Sequence, residues 1–270
     1  MHSFNYHKPS TVAEAAAALQ SAEDGKFIAG GMTLLPTMKQ RLAAPSDLVD
    51  LAHISDLQGV RFDSGHVRIG AMTRHAHVAR NAEIQTRAPV IAQLAGGIGD
   101  VQVRNRGTIG GSIANSDPAA DYPAAVLGLG ATIETNKRSI RGDDFFLGLF
   151  QTALEDNEMI VAVKFPIPDA AAYVKFRQPA SRFALVGVMV ARFGADVRVA
   201  VTGAGACAFR VPAFEQKLAE RFSPEVLEGV PVSSEGLNSD IHGDAEYRAH
   251  LVGVLARRAV AQILGTGRAG

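Results

Sequence analysis

Two glycine-rich turns, Ala29-Gly30-Gly31-Met32-Thr33 and Thr108-Ile109-Gly110-Gly111-Ser112, constrain this chain more than any other feature. The first follows Lys26–Ala29, which reads as a short strand. It precedes Leu35–Leu42, which reads as a helix capped by Thr33 and closed before Pro45. Adjacent glycines admit positive φ and let backbone approach a ligand closely. Successive N–H groups running into a helix N-terminus form a partly positive concavity that suits a phosphate or pyrophosphate. Taken alone, such a pair is as readily a plain tight turn. The spacing is not G-x-G-x-x-G, and no Gly-Lys-Ser/Thr follows, so the Rossmann fingerprint and the Walker loop are both excluded.

The second turn is more specific. Hydroxyls at Thr108 and Ser112 flank its glycines, and Asn115, Asp117 and Asp121 follow. Hydroxyls and backbone amides neutralise a diphosphate without buried cations, and a carboxylate such as Asp121 accepts hydrogen bonds from sugar hydroxyls. The competing reading is a structural loop with Asp117 as a helix cap. Gly99–Pro118 has no clear helical period, but Ile98, Val101, Val103, Ile109 and Ile113 predict a packed, ordered loop.

Around these turns the pattern is regular. Thr11 with Glu14 forms a capping box for a helix over Val12–Ala22. With Asp47–Leu51 as the next strand, the N-terminal stretch predicts a small β-α-β-α-β unit. Val60–Phe62 and His66–Ala71 flank Asp63-Ser64-Gly65 as a hairpin. Thr73 is expected to cap a helix into Ala79, and Pro89–Gly97 and Asp121–Leu127 read as further helices. Ala131–Glu134 and Met159–Phe165 read as strands. Pro166 and Pro168 mark an expected boundary between residues 1–165, in lobes of about 1–55 and 56–165, and residues 166–270. Beyond it, strands at Tyr173–Phe176, Leu185–Phe193, Val197–Thr202 and Ala206–Arg210 form a meander. Helices follow at Ala213–Phe222, Pro224–Glu228 and Ala245–Leu264.

Composition narrows the function classes. Lys+Arg and Asp+Glu number 27 each, and no basic run with interleaved aromatics exists, so a nucleic-acid partner is not expected. The single cysteine, Cys207, excludes an internal disulfide and a cysteine-ligated cluster within this chain. His75 and His77 lie two apart, on different faces of a helix, and no carboxylate pattern completes a metal site. Ser112, Ser116 and Ser181 lack a nucleophile elbow. No apolar run is long enough to span a membrane, and the first residues lack the pattern of a secretory signal, so a cytoplasmic protein is expected.

The segments KFIAGGMTLLPTMKQRLA, VRIGAMTRHAHVA, VRNRGTIGGSIANSDPAADYPA and EMIVAVKFPIP resemble the FAD-binding medium subunit of molybdenum hydroxylases, the xanthine dehydrogenase and aerobic carbon monoxide dehydrogenase flavoprotein family. The resemblance covers essentially the whole chain, more loosely in its C-terminal third. It implies an α+β architecture: a vanillyl-alcohol-oxidase (PCMH) type, two-lobed FAD-binding domain, then a C-terminal domain of antiparallel strands and helices. By position, Phe27, Ile28, Ala29, Gly30, Gly31, Met32, Thr33 and Leu34 would cradle the FAD pyrophosphate from one side. Thr108, Ile109, Gly110, Gly111 and Ser112 would do so from the other. Asn115 and Asp121 would meet the ribityl or phosphate region, and Ile98 and Ile160 would pack near the flavin or adenine. Arg177 would supply a cation near the isoalloxazine. Relatives often carry histidine, glutamine or asparagine where this chain has Met32. Phe183 stands where a carbon monoxide dehydrogenase relative has tyrosine, keeping the stacking surface without the hydroxyl.

The resemblance further implies electron transfer, with no acid–base side chain essential in this chain. A large molybdopterin subunit and a small subunit with two [2Fe-2S] clusters would be partners, in a dimer of heterotrimers delivering electrons to an external acceptor. Two other functions fit the same residues. One is a self-sufficient FAD oxidoreductase acting directly on a small substrate; the other is a flavin-free assembly subunit, against which the two intact glycine turns argue.

Overall fold

The computed structural model describes residues 1–266, and their strands fall into three principal sheets and a short hairpin. β1 (Asn5–His7), α1 (Val12–Gln20), β2 (Gly25–Ile28), α2 (Leu34–Lys39) and β3 (Asp47–Asp50) form the N-terminal unit. Its sheet is parallel, in the order β1-β3-β2. The capping box forms: Thr11 accepts from the Glu14 amide at 3.1 Å, while the Glu14 carboxylate accepts from the Ser10 amide at 2.7 Å. Beneath the sheet, Ala15, Val49, Leu51, Ile54 and Leu57 make a small core.

The middle of the chain contains β4 (Val60–Asp63), β5 (His66–Gly70), α3 (His75–Arg80), α4 (Ala82–Arg87), α5 (Pro89–Gly96), α6 (Val101–Arg106), α7 (Ile109–Asn115) and α8 (Tyr122–Gly128). It continues with β6 (Thr132–Thr135), β7 (Ser139–Arg141), β8 (Phe146–Gly148), β9 (Gln151–Thr152) and β10 (Ile160–Pro166). The expected hairpin closes with Asp63 opposite His66, and both Ser64 (φ 32°) and Gly65 (φ 81°) take positive φ, as a two-residue turn matching strand twist requires. The antiparallel sheet runs β4-β5-β10-β6-β7.

Three expectations are corrected here. Gly99–Pro118 is largely helical, not an irregular loop: Asp100 accepts from the Val103 amide to start α6, and Thr108 accepts from the Gly111 amide to start α7. Glycines and β-branched residues conceal these short helices, because local propensity is poor and the caps sustain them. Thr73 does not cap α3; its hydroxyl bonds the Gly59 backbone instead. Thr33 stands at the N-cap of α2 without a side-chain capping bond.

The C-terminal part holds β11 (Ala170–Arg177), β12 (Ala184–Phe193), β13 (Asp196–Thr202), β14 (Phe209–Arg210), α9 (Pro212–Glu220) and α10 (Ala245–Ile263). The sheet is an antiparallel meander, as expected, although its last strand has only two residues and Pro224–Leu227 is a single 3₁₀ turn. β12 is buried on both faces, which accounts for its unbroken apolar run. Val186, Val188 and Val190 face α9 and α10, while Met189 and Ala191 join the core around α5, α8 and β10. Gly128 of α8 sits so tightly on this sheet that a β-carbon there would lie 2.4 Å from Met189 Cγ.

Candidate functional site: two glycine turns on one seam

The first turn leaves β2 at Ile28 and enters α2 at Leu34. Gly31 is left-handed (φ 72°), a conformation that strains any side chain. Among the described residues, the turn is closed by one backbone bond, from the Leu35 amide to the Gly31 carbonyl at 3.2 Å. Among the described residues, none accepts from the amides of Gly30, Gly31, Met32, Thr33 or Leu34. Five consecutive donors at the start of a helix, with Met32 and Thr33 exposed, form an anion cradle of backbone alone.

The second turn is built differently. The Ile109 amide donates to Thr73 O at 3.1 Å and the Gly110 amide to Ala71 O at 2.8 Å. The Gly111 amide goes to Thr108 Oγ1 at 3.2 Å and the Ser112 amide to Thr108 O at 3.0 Å. These four amides therefore all have acceptors within the chain. Its glycines serve close approach. A β-carbon on Gly110 would lie 2.5 Å from Ala71 Cβ, so the turn lies flush against residues 71–75.

The two turns meet. A β-carbon on Gly30 would stand 2.2 Å from the Arg106 carbonyl oxygen and 2.8 Å from Gly107 Cα. One on Gly111 would stand 3.4 Å from Ala29 Cβ. The N-terminal unit and the middle region thus share a seam that only glycines allow, with the donor-bearing turn on one side of it. Ser112 and Asn115 are half-buried on α7.

Asp121 lies deeper. It is 3% exposed, and its carboxylate accepts from Tyr173 Oη at 2.5 Å and from Lys175 Nζ at 3.0 Å. Lys175 also donates to the Gly97 carbonyl at the end of α5, at 2.9 Å. Burial pushes the Asp121 carboxyl above its ordinary range, opposed by the Lys175 ammonium and the Tyr173 hydroxyl. Burial, then the Asp121 charge, pushes the Tyr173 hydroxyl up. Gly187 on β12 makes the reach possible, since a β-carbon there would lie 2.3 Å from Tyr173 Oη. Sequence reasoning singled out Arg177 but missed Tyr173 and Lys175. The signal was strand alternation, because residues 173, 175 and 177 share one face of β11.

Arg177 is exposed at the end of β11, 3.7 Å from where a Gly97 β-carbon would be. Phe183 is 43% exposed in the turn after β11. Ile98 and Ile160 are buried in the large middle core. Behind the second turn, His75 is 4% exposed; burial and then the Arg104 charge push its imidazole down to about 4.

The chemistry of a backbone cradle joined by a glycine seam to a second helix start suits a phosphate-bearing ligand, and the comparisons with known proteins concern the same stretch of chain. Residues 2–168 match the FAD binding domain in molybdopterin dehydrogenase. This chain belongs to that family. It is 35% identical to the carbon monoxide dehydrogenase medium chain of Hydrogenophaga pseudoflava, over 95% of this chain and 96% of the relative. It is 36% identical to the nicotine 6-hydroxylase medium subunit of Paenarthrobacter nicotinovorans, at the same coverages. Among solved structures, a chain of quinoline 2-oxidoreductase from Pseudomonas putida 86 superposes with a TM-score of 0.88 at 29% identity, covering 98% of this chain and 99% of that one. The family's cofactor fits the residues present: the amides of Gly30 to Leu34, without acceptors among the described residues, could donate to an FAD diphosphate.

Proposed function

We propose that this chain is the FAD-carrying, electron-transfer subunit of a multi-subunit molybdenum hydroxylase. The observation that carries this reading is the run of unpaired amides from Gly30 to Leu34, pressed by Gly30 against the second glycine turn. Family membership and the near-complete coverage of medium-chain relatives support it. When bound, FAD would take electrons from iron–sulfur clusters on a small subunit and release them to an external acceptor.

The chain's own residues do the binding and tuning. Phe27–Leu34 present donors and hold the diphosphate without a side-chain cation. Thr108–Ser112 close the other side, chiefly by allowing the two turns to touch. Asn115 extends the polar rim along α7. Asp121, through Lys175, fixes the end of α5 against β11, and so positions Arg177 and Phe183 at the edge assigned to the isoalloxazine. Arg177 places a positive charge there, and Phe183 an apolar ring. Ile98 and Ile160 back this wall from the core. Residues 1–165 form the FAD-binding domain on this reading, and residues 166–270 the C-terminal one. The large partner carries molybdopterin, two [2Fe-2S] clusters sit on the small one, and the whole is a dimer of heterotrimers in the cytoplasm. A division of labour accords with the single cysteine of this chain. Among the described residues no helix is long and apolar enough to cross a membrane, and no group of three or more His, Cys, Asp or Glu could hold a metal.

The test is co-expression with the neighbouring genes, followed by purification and flavin and metal analysis. The expected result is a yellow complex with FAD in this chain and iron and molybdenum in the others. A chain that reduces its own flavin with an organic substrate, without partners, contradicts the electron-transfer role.

A further inference from the structure

We propose that His75 is a positioning residue, a spacer whose ring sets the gap between the two glycine turns. The inference rests on the reading that these turns hold FAD, and it assigns a role to a side chain that makes no part of either turn.

The imidazole packs against two neighbours. On one side is Tyr122, the first residue of α8, which is fully buried; the ring centroids are 5.4 Å apart with planes tilted by 43°. On the other side is Gly107, where a β-carbon would lie 2.6 Å from His75 Nε2. Directly beyond Gly107 is the first turn, with a Gly30 β-carbon position 2.8 Å from Gly107 Cα. The order Tyr122, His75, Gly107, Gly30 therefore runs from a rigid, wholly buried helix to the donor-bearing turn. The His75 amide donates to the Gly107 carbonyl at 3.0 Å, so ring and backbone hold the same residue.

The buried Nδ1 does not explain the ring's presence. His75 Nδ1 is buried with no hydrogen-bond partner among the described residues, and so is the Tyr122 hydroxyl it packs beside. A buried, unpaired nitrogen is unfavourable, so what the side chain contributes here is volume and rigidity. Its depressed basicity, caused by burial and Arg104, keeps the ring uncharged near neutrality, so it brings no cation to the diphosphate. With the ring truncated, Gly107 can settle toward Tyr122. The seam then opens on the Gly30 side, and the five donors lose their register with the second turn.

The test uses the full chain, purified without flavin, and titration with FAD well below the melting temperature of each variant, with folding checked by circular dichroism. His75→Ala is expected to weaken FAD binding at least tenfold. His75→Met, which restores volume without a nitrogen, is expected to bind within threefold of the natural chain and to melt no lower. Wild-type affinity in His75→Ala overturns the spacer and leaves the FAD reading intact. A loss in His75→Met as large as in His75→Ala also overturns it, because the nitrogen would then be what matters. Failure of the natural chain itself to bind FAD overturns the functional reading and the spacer's purpose together.

Discussion

Gly30-Gly31 and Gly110-Gly111 are the same dipeptide at the start of a helix, yet they do opposite things with their backbone. Around Gly30 and Gly31 the amides are unpaired, and Gly31 uses a left-handed conformation to aim them. Around Gly110 and Gly111 every amide from Ile109 to Ser112 has a protein acceptor, and the glycines exist because Ala71 and Ala29 press on them. Both turns use a glycine for contact, at Gly30 and at Gly110, but only the first leaves its amides without acceptors among the described residues. A glycine pair is thus read correctly only when the destination of each neighbouring N–H is known, and that is a property of the fold rather than of the dipeptide.

If that contrast holds, substitutions in the two turns separate stability from binding. The largest loss of stability is expected from Gly110→Val combined with Gly111→Val. Two overpacked contacts, each costing about 1–3 kcal/mol or more, should lower the melting temperature sharply and abolish FAD retention. A variant that keeps its melting temperature and its FAD would refute the contact role.

Asp121→Ala comes next. Removing one member of a buried ion pair costs roughly 3–5 kcal/mol, because Lys175 is left without its partner. Asp117→Ala removes only a turn bond to the Ala119 amide, worth about 1 kcal/mol. Urea denaturation compares them, and Asp121→Ala should also weaken FAD binding more. Equal losses would remove Asp121 from the site.

A pH series probes the wall behind the second turn. The His75 imidazole titrates at about 4 in the folded chain against 6.5 for an unperturbed group, so the unfolded chain binds this proton first. The resulting stability is fully present above pH 6.5, falls as pH drops from 6.5 to 4, and levels below that. The total is roughly 3 kcal/mol at most, from about 1.4 kcal/mol per pKa unit. The natural chain should show this slope and His75→Met should not; identical pH profiles of urea midpoint would contradict it.

Gly31→Ala should cost only about 1–2 kcal/mol in stability, for a left-handed alanine, and yet reduce FAD affinity strongly by turning the free amides away. Parallel small losses in both would blur the contrast between the turns.

Much of the fold was legible because its signals are local. Thr11 and Glu14 mark a helix start, Ser64-Gly65 a hairpin, and the run from Leu185 to Ala191 a strand buried on both faces. The first strand of the expected β-α-β-α-β unit was not located because three residues, Asn5–His7, carry too little pattern. α6 and α7 were missed because capping by Asp100 and Thr108, not propensity, makes them helices. At the site, the two glycine turns were visible in the sequence and the family resemblance was correct. The bonds from Asp121 to Tyr173 and Lys175, more than fifty residues away, could not be read from spacing. Nor could the engagement of the Gly110 amide by Ala71, since it depends on how the hairpin strand returns beneath α7.

The most direct measurement is the FAD stoichiometry of the natural chain, purified with its partner subunits and repeated with Gly31→Ala. The account predicts one FAD per natural chain and a nearly flavin-free but folded Gly31→Ala protein. A natural chain without FAD, or a Gly31→Ala chain that retains it in full, would contradict the assignment of the first glycine turn as the cofactor's anchor.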